Sequence, residues 1–353
     1  MLSPRTGTIL KSIVEQYITR AVPVPSKSII DNYHLEVSSA TVRNEMVHLE
    51  NEGYIIRPHI SAGSVPLDKG YRYYVESLSD IKLPITQQRM ISHLFHQVET
   101  KLEEWLRLTA TLLAHLAQNT AIVAMPKPAS CVFKYLQVLA LRESTALIVL
   151  ILHGARVKQQ LIAFDQTVAQ SELATTASKL NAAYQGLTCR QISAKEMELS
   201  SIEQTITDCV VEIMRSEDKE DYEESYLDGL HFTLNQPEFI GSPQMASLIE
   251  LTEHRNLLSI ILPKGLAIRG VRVIIGKENR EEAIQNYSVV ISQYGLPGEA
   301  VGSIGIIGPT RMPYARSIAS VDYLSSLLSS LVARLYERET SPDASEISPT
   351  EES

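Results

Sequence analysis

The sequence predicts an α+β protein of two or three domains. A compact helical unit comes first, and a strand-rich domain carrying an inserted, largely helical segment follows it. The 353 residues exceed the roughly 100–200 residues of one ordinary domain. Hydrophobic residues make up 44% and charged residues 21%, values typical of globular proteins and not of disordered or fibrous chains. Strand patterns on both sides of a helical, acid-rich stretch indicate the insertion.

No membrane segment and no disulfide framework are predicted. The longest apolar run, around Ala146–Leu152, suits a buried strand and is too short to span a bilayer. Residues 1–11 lack the basic-then-apolar layout of a signal peptide. Cys131, Cys189 and Cys209 lie far apart and show no metal-ligand spacing. We therefore expect a cytoplasmic protein with no membrane partner.

Charge is distributed unevenly along the chain. The formal net charge is −9, and residues 196–224 alone contain eleven acidic and two basic side chains. Residues 1–79 contain eight basic and eight acidic side chains. The overall acidity therefore does not exclude a nucleic-acid partner for the first unit, but binding there depends on where its individual cations lie.

Two helices are predicted at the start of the N-terminal unit, residues 1–80. Apolar side chains from Ile9 to Ile18 recur at helical spacing. Pro23 and Pro25 end this helix, because proline has no backbone N–H and restricts the residue before it. Ser26 is a suitable N-cap for a second helix that reaches about Tyr33.

A third helix and a small wing complete the unit. Ser38 or Ser39 would cap the helix, and Gly53 would end it. Its core stripe consists of Val42, Met46 and Leu49. Its opposite, polar face consists of Ser39, Thr41, Arg43, Asn44 and His48. A strand at 54–57, a turn at 60–66 and a helix at 68–78 are predicted next.

These elements are typical of a winged helix-turn-helix. Its third helix fits the major groove of duplex DNA and presents side chains to base edges. Arg43 and Asn44 carry the guanidinium and the amide that suit guanine, adenine or phosphate. The same elements would also suit a purely structural helical subdomain, or a winged helix that docks a protein.

The remaining chain alternates between helical and strand patterns. A boundary at Leu83-Pro84 precedes one long helix at 86–118. Strands are predicted at 121–125, 135–141, 146–152, 157–163, 258–262, 269–275, 288–294 and 302–307. Helices are predicted at 165–184, in the acidic stretch up to 226, and at 314–337. We assign one domain to 81–164 and 241–340, an inserted segment to 165–240, and a disordered tail to 341–353.

No catalytic, cofactor or metal site is predicted. The glycines between Gly302 and Gly308 precede Pro309 and lack the strand–loop–helix context of a nucleotide loop. The remaining candidates lack the spacing of a metal site or a catalytic partner. They are His93, His96, Asp165, Asp322 and the acids at 217–221.

Several blocks of sequence, in a fixed order, are distinctive. The first group is SATVRNEM at 39–46, Leu49-Glu50, Gly53-Tyr54, PHISAGSVP at 58–66 and DKGYRYYV at 68–75. The second group is IIGKEN at 274–279 and GIIGPTRMPY at 305–314. Together they resemble the HrcA family, the heat-inducible transcription repressors of bacteria. The resemblance is dense over 3–79 and 270–316 and looser between them.

The resemblance implies a winged helix, a GAF-like domain and a dimerising segment inserted into that domain. It also implies a homodimer that represses chaperone operons from an inverted-repeat operator in double-stranded DNA, with chaperonin keeping the repressor active. We expect the dimer interface within 165–240, assisted by the helix at 86–118. The residues expected to contact DNA are Ser26, Lys27, Ser39, Thr41, Arg43, Asn44, His48, His59, Ser61, Gly63 and Ser64.

Two wing positions depart from the family pattern. Ser64 stands where the family normally has arginine, and Leu67 stands where it has threonine. We expect the Ser64 hydroxyl to lie near a phosphate. Ser64→Arg would then tighten binding to all DNA sequences and steepen the slope of log K against log salt by about 0.9.

An alternative function is a winged-helix regulator whose α+β domain senses a small molecule. The two functions differ in the inducer, which is heat and chaperonin supply in one case and a compound in the other. Arg311 is the most prominent polar residue of the last block. We expect it to cap carbonyls or pair with an acid and not to bind a ligand.

Overall fold

The computed structural model describes residues 2–33, 38–59, 63–98, 101–127, 131–142, 144–153, 157–219, 225–240, 242, 246–250, 270–296 and 300–340, with side chains except at 31–33, 219 and 336–340. The chain forms two compact units. The core unit comprises Met1–Pro126, Tyr222–Leu296 and Gly302–Ser353. The inserted unit comprises Lys127–Asp221 and Pro297–Val301.

The core unit begins with a winged-helix region. Its elements are α1 (Pro4–Arg20), α2 (Ser26–Tyr33), α3 (Ser39–Asn51), β1 (Ile55–Ile56), β2 (Val65–Pro66) and α4 (Asp68–Glu76). β1 and β2 pair antiparallel and form the wing. The predicted core stripe of α3 is buried together with the apolar face of α1. The predicted helices of this region are thus present, and α4 ends two residues before the predicted limit.

Local sequence sets where these helices begin. Ser3 caps α1, because its hydroxyl accepts a hydrogen bond from the Thr6 N–H at 3.1 Å. Ser38, one of the two predicted candidates, caps α3 in the same way, accepting from the Thr41 N–H at 3.1 Å. Leu67 occupies the N-cap position of α4 and supplies no side-chain hydrogen bond there.

Two helices, α5 (Ile85–Gln97) and α6 (Leu102–Ala117), lead to the strand β3 (Thr120–Ala124). The prediction of one helix over 86–118 is therefore wrong. Val98 and Lys101 adopt extended backbone angles, with φ −88°, ψ 144° and φ −123°, ψ 131°. No proline or glycine marks this interruption, so the helical pattern does not reveal it.

The inserted unit contains its own sheet and helices. Its elements are β4 (Phe133–Arg142), β5 (Thr145–Leu152), β6 (Val157–Ala163), α7 (Gln170–Tyr184), α8 (Cys189–Ser193) and α9 (Ser201–Lys219). The strands pair antiparallel in the order β4-β5-β6. Alternate residues such as Leu136, Ile148 and Leu150 point into a core shared with α7 and α9.

The core unit resumes with β7 (Ser225–Asp228), α10 (Leu230–Leu234), β8 (Arg272–Ile275), β9 (Tyr287–Leu296), β10 (Ala300–Pro309) and α11 (Tyr314–Thr340). A 3-10 turn at Gly276–Glu278 follows β8. The five-stranded sheet has the order β7-β3-β10-β9-β8. We call this sheet with the helices and turns packed on it the sheet region.

Apolar residues cover both faces of the five-stranded sheet. Val123 and Val290 belong to the same buried cluster as α6 and α11, whereas Ile122 and Val289 pack with Phe239 in a second cluster. α11 is long and apolar enough over Tyr314–Leu335 to cross a membrane. It buries Ala319, Val321, Leu324, Leu328 and Val332 in the first cluster, as the core helix of a globular domain does.

The compact units differ from the predicted domains. The inserted unit begins at Lys127 and not at 165, and it ends before the predicted limit of 240. The reason is strand pairing: β4, β5 and β6 pair with one another and form a separate three-stranded sheet. The strand predicted at 258–262 and the tail predicted at 341–353 lie outside the described residues.

Candidate nucleic-acid interface

α3 separates apolar and polar side chains onto opposite faces. Val42, Met46 and Leu49 are buried, whereas the side chains predicted to contact DNA lie on the solvent side. Four of these are exposed: Ser39, Arg43, Asn44 and His48. Thr41 is half-buried, and its hydroxyl lies 2.9 Å from that of Ser38. The helix therefore offers a mainly polar surface, which includes the exposed Val47, and this surface begins at the N-terminus, where free N–H groups favour an anion.

A carboxylate within this helix is held by α1. The Arg5 guanidinium donates to Glu45 Oε1 from Nε at 3.0 Å and from Nη2 at 2.7 Å. The Thr6 hydroxyl donates to Glu45 Oε2 at 2.7 Å. The Thr6 hydrogen bond, followed by the contacts with Arg5, lowers the pKa of Glu45 below its usual value. These contacts fix α3 against α1 and neutralise a negative charge that would repel DNA.

Five cations of the winged-helix region fall into two groups. Arg5, Arg57 and Arg72 each form an ion pair with a glutamate. Arg43 and Lys27 are exposed and make no ion pair or hydrogen bond with the residues that the structure describes. Their charges therefore remain available to a polyanion although the region has zero net charge.

The wing agrees only in part with the prediction. His59 is exposed, and Ser61 lies outside the described residues. Gly63 lies against the chain before α2: a Cβ atom there would stand 2.5 Å from the Val24 carbonyl carbon. Close backbone packing thus accounts for a glycine at this position.

Ser64 was predicted to lie near a DNA phosphate, but its side chain is buried. Its backbone pairs with Val24 through N–H···O bonds of 2.8 and 2.9 Å, and its side chain is fully buried. Among the described residues, the Ser64 hydroxyl has no hydrogen-bond partner. A phosphate contact from this hydroxyl is therefore inconsistent with the structure, because the bridge to Val24 turns the side chain inward. An arginine at 64 would have to displace packed atoms before it reached solvent.

Ser26 and Lys27 begin α2, and their exposure differs. Ser26 is the first helical residue and is half-buried, whereas Lys27 is exposed. Arg311 has the structural role expected of it, although its partners are distant in sequence. Its guanidinium forms an ion pair with Glu238 and donates to the Ile18 carbonyl at the end of α1, at 3.0 Å.

Sequence reasoning missed the two α1 residues that hold α3, Arg5 and Thr6. Arg5 lies 40 residues from Glu45 along the chain, and no local pattern joins them. The only available signal was the unusual placement of a glutamate, Glu45, between the proposed DNA-reading residues and the core stripe. Such a carboxylate requires a cationic or hydroxyl partner if the helix is to approach phosphates.

Three short helices, a paired wing and an exposed polar face on the third helix define a winged-helix DNA-binding protein. The comparisons identify its family. A family profile described as "HrcA protein C terminal domain" matches residues 103–318. A Heat-inducible transcription repressor HrcA from Dehalococcoides mccartyi (strain ATCC BAA-2266 / KCTC 15142 / 195) is 50% identical over 336 residues, covering 95% of this chain and 97% of the relative. The chain belongs to the HrcA family of heat-inducible transcription repressors, which are DNA-binding regulators and not enzymes.

Two further comparisons agree. The Heat-inducible transcription repressor HrcA of Roseiflexus castenholzii (strain DSM 13941 / HLO8) is 38% identical over 349 residues, covering 95% of this chain and 96% of the relative. A crystal structure of a hypothetical protein at 2.2 Å resolution has a TM-score of 0.57 and 23% identity, covering 94% of this chain and 98% of that one. The latter similarity concerns the fold alone.

Proposed function

We propose that this repressor binds an inverted-repeat operator of chaperone operons as a homodimer, with α3 of each copy in the major groove. The observation that carries this proposal is the exposed polar face of α3. Arg43 and Asn44 lie on it without partners among the described residues, opposite the buried stripe. Guanidinium and amide groups form paired hydrogen bonds with guanine and adenine edges, so these two side chains would read bases.

The other polar residues would position the helix on the backbone of the DNA. Lys27 at the start of α2 supplies a cation, and Ser39 lies in the first turn of α3. Phosphate contacts of this kind fix register and orientation but carry no sequence information. The remaining proposed contacts come from Ser26, Thr41, His48, His59, Ser61 and Gly63. Ser64 is excluded from the set because it is buried.

The homodimer would form through the exposed face of the three-stranded sheet in the inserted unit, which we call the outer sheet face. Its register places apolar side chains in two cross-strand rows. The rows are Tyr135–Ile151–Val157 and Leu139–Leu147–Leu161. Tyr135, Val157 and Leu161 are 49%, 51% and 62% exposed. Between the two rows, on the same face, lie Gln137, Val149 and Gln159. Exposed apolar rows of this kind mark a protein–protein contact.

A second copy of the chain is the partner that this face suits. An inverted repeat has two-fold symmetry, and a two-fold dimer brings the same surface of both copies together. The apolar rows are complementary to themselves because they contain no charged side chain. This interface replaces the one predicted at 165–240, because α7 and α9 pack their apolar sides into the core of the inserted unit.

The GAF-like assignment, the chaperonin and the cytoplasmic location also form part of the proposal. The sheet region supports the first, since it is a five-stranded sheet interrupted by an inserted unit, as the family resemblance implies. Chaperonin and ATP added to heat-treated protein should restore operator binding. Equal recovery without chaperonin would argue against the feedback.

The decisive experiment is to crosslink the repressor to DNA in cells and to sequence the recovered fragments. We expect an inverted repeat upstream of chaperone genes. Arg43→Ala and Asn44→Ala should then shift the preference at single positions within each half-site. Fragments without a shared inverted repeat would refute the proposal. A small compound that alters affinity for unrelated operators would instead favour a metabolite sensor.

A further inference from the structure

The two sequence blocks near the C-terminus both contact the winged-helix region. In the first, Glu278 of the 3-10 turn forms an ion pair with Arg72 of α4. The Arg72 Nη2 also donates to the Val273 carbonyl of β8 at 2.8 Å. The Lys277 N–H donates to the Asp68 carboxylate at 2.9 Å. The turn thus binds two charged residues on successive turns of one helix.

Gly276 shows that this contact is close. Its φ of +51° is a left-handed conformation that side chains disfavour. A Cβ atom at this position would lie 2.3 Å from a carboxylate oxygen of Asp68. Both the backbone angle and the space therefore require glycine, and the turn is shaped to receive α4.

The second block makes a separate contact, with α1. Arg311 follows β10, and its guanidinium bridges Glu238 and the Ile18 carbonyl. The side chain of Arg311 is only 14% exposed. A buried guanidinium with two partners is costly to separate from either of them, so this bridge resists rotation of α1 against the sheet region.

Aromatic side chains fill the space between the two polar contacts. Tyr71 of α4 and Tyr314 of α11 are buried, with ring centroids 5.9 Å apart. The Tyr314 hydroxyl lies 2.7 Å from that of Ser288 and donates to the Thr310 carbonyl at 2.6 Å. The buried core of the winged-helix region is continuous with that of the sheet region. We call the contacts of Arg72, Tyr71 and Arg311 the docking surface.

We propose that the docking surface determines which half-site spacing the repressor accepts. The inference rests on the proposed dimeric binding of an inverted repeat. Two recognition helices fit two half-sites only if each winged-helix region has one orientation relative to the dimer. Without the docking surface, the chain between α4 and α5, residues 77–84, would be the remaining link between the winged-helix region and the sheet region.

Two sets of residues would then have different roles in DNA binding. Arg43 and Asn44 recognise the bases of a half-site, whereas Arg72 and Arg311 act as positioning residues that select the separation of half-sites. A rigid connection gives a high effective concentration of the second winged-helix region at one spacing, and a flexible connection spreads it over several spacings. Weakening the docking surface should therefore change spacer selectivity without changing affinity for a half-site.

The test uses the full-length protein and operators whose central spacer is lengthened stepwise by up to roughly half a helical turn, about five base pairs. The variants are Arg72→Gln, Arg311→Gln and Glu278→Gln, the last of which retains a hydrogen-bond acceptor. Lys179→Gln is the matched control, because it breaks an exposed ion pair with Glu203 inside the inserted unit. Binding to a single half-site and thermal unfolding are measured in parallel.

We expect the ratio of Kd values, lengthened over natural spacer, to fall about fivefold in Arg72→Gln and Glu278→Gln, the equivalent of one exposed ion pair. The fall should be larger in Arg311→Gln, because its guanidinium is buried. Half-site affinity should stay unchanged, and the control should match the wild type. If Arg311→Gln unfolds, Arg72→Gln and Glu278→Gln still decide the question. Unchanged spacer selectivity in folded docking variants would overturn the inference. A wild type that prefers no inverted repeat over a half-site would instead overturn the proposed function.

Discussion

α3 and the outer sheet face both expose an ordered set of side chains, but the chemistry of the two surfaces is opposite. α3 presents hydroxyl, guanidinium, amide and imidazole groups. The outer sheet face presents rows of leucine, isoleucine, valine and tyrosine. Hydrogen-bond donors without partners suit a polyanion with readable base edges, whereas exposed apolar rows suit a surface that excludes water. The chemistry of α3 therefore suits DNA, whereas that of the outer sheet face suits another protein surface.

The winged-helix region and the inserted unit also differ in which of their charged side chains form ion pairs. In the winged-helix region, Arg5 and Arg57 neutralise glutamates on α3, and Arg43 is left unpaired among the described residues. In the inserted unit, acids of α9 are bound individually, as Lys179–Glu203 and Lys158–Glu217 show. At least these two carboxylates of α9 are therefore neutralised within the inserted unit.

The largest expected effect follows from placing a charge on the outer sheet face. Leu161→Asp would bury a carboxylate without a partner in the dimer, which costs several kcal/mol. We expect dimer dissociation to become at least about a hundredfold easier, with a matching loss of operator affinity. Sedimentation equilibrium measures the dissociation constant of the dimer. Ile85→Asp, at an apolar residue 67% exposed on α5, is the control and should remain dimeric. A dimeric Leu161→Asp would show that the face pairs with something else.

The next effect concerns base reading by α3. Arg43→Ala should cost about 1–3 kcal/mol of operator binding and relax one base position, because a bidentate contact is lost. Quantitative binding to operator and to single-base variants measures both. Arg190→Ala removes an exposed arginine from α8 and serves as the control. Equal losses of affinity on all sequences would mean that Arg43 contacts only phosphate.

A smaller effect should come from the contact between α1 and α3. Glu45→Gln weakens the charge-assisted bonds from Arg5 and Thr6 and should lower stability by about 1 kcal/mol, since Arg5 is half-exposed. The pKa of Glu45 is lowered in the fold, so its contribution is present above the ordinary carboxyl value of 4.5 and lost as pH falls through the lowered pKa. Urea unfolding of variant and wild type between neutral and acidic pH tests this.

The wild type and Glu45→Gln should have the same stability at the acidic end of the pH series. Glu196→Gln, at an exposed glutamate outside any helix, is the control and should leave the pH dependence unchanged. A difference between Glu45→Gln and the wild type that is independent of pH would show that packing, and not charge, carries the contact.

Restoring a helix cap at α4 should raise stability, by an amount similar to or smaller than the loss expected for Glu45→Gln. Leu67 stands at the N-cap of α4 with extended angles, φ −96° and ψ 170°, and no capping hydrogen bond. Leu67→Thr should accept a bond from the first turn and raise stability by about 1 kcal/mol. Leu67→Ala removes the same side chain without a hydroxyl, so thermal unfolding of both variants separates the cap from the lost leucine. No gain of threonine over alanine would count against a capping role.

The smallest effect concerns the buried serine of the wing. Ser64→Ala removes a buried hydroxyl that has no partner in the described part of the chain. It should stabilise the fold by up to about 1 kcal/mol while leaving DNA affinity unchanged. Ser288→Ala, which removes a buried hydroxyl bonded to Tyr314, should destabilise. A loss of operator affinity in Ser64→Ala would restore Ser64 to the DNA contacts.

Elements with a strong local signal could be predicted from the sequence. The period of Val42, Met46 and Leu49 located α3 and its exposed face, and Ser38 marked where the helix starts. Alternation located β4, β5 and β6 to within two residues. The blocks at 39–46 and 305–314 were distinctive enough to indicate the family. Each of these depends on residues close together in the chain, where spacing and propensity act directly.

Which strands and side chains contact one another could not be predicted from local sequence. Strand patterns do not specify which strands pair, so the structure alone assigned β4–β6 to a separate sheet and moved the start of the inserted unit to Lys127. The bridge from Ser64 to Val24 buried a side chain that the turn pattern placed on the surface. Arg72 and Arg311 met partners more than seventy residues away, Glu278 and Glu238. Such contacts are set by packing across the chain, and no local pattern encodes them.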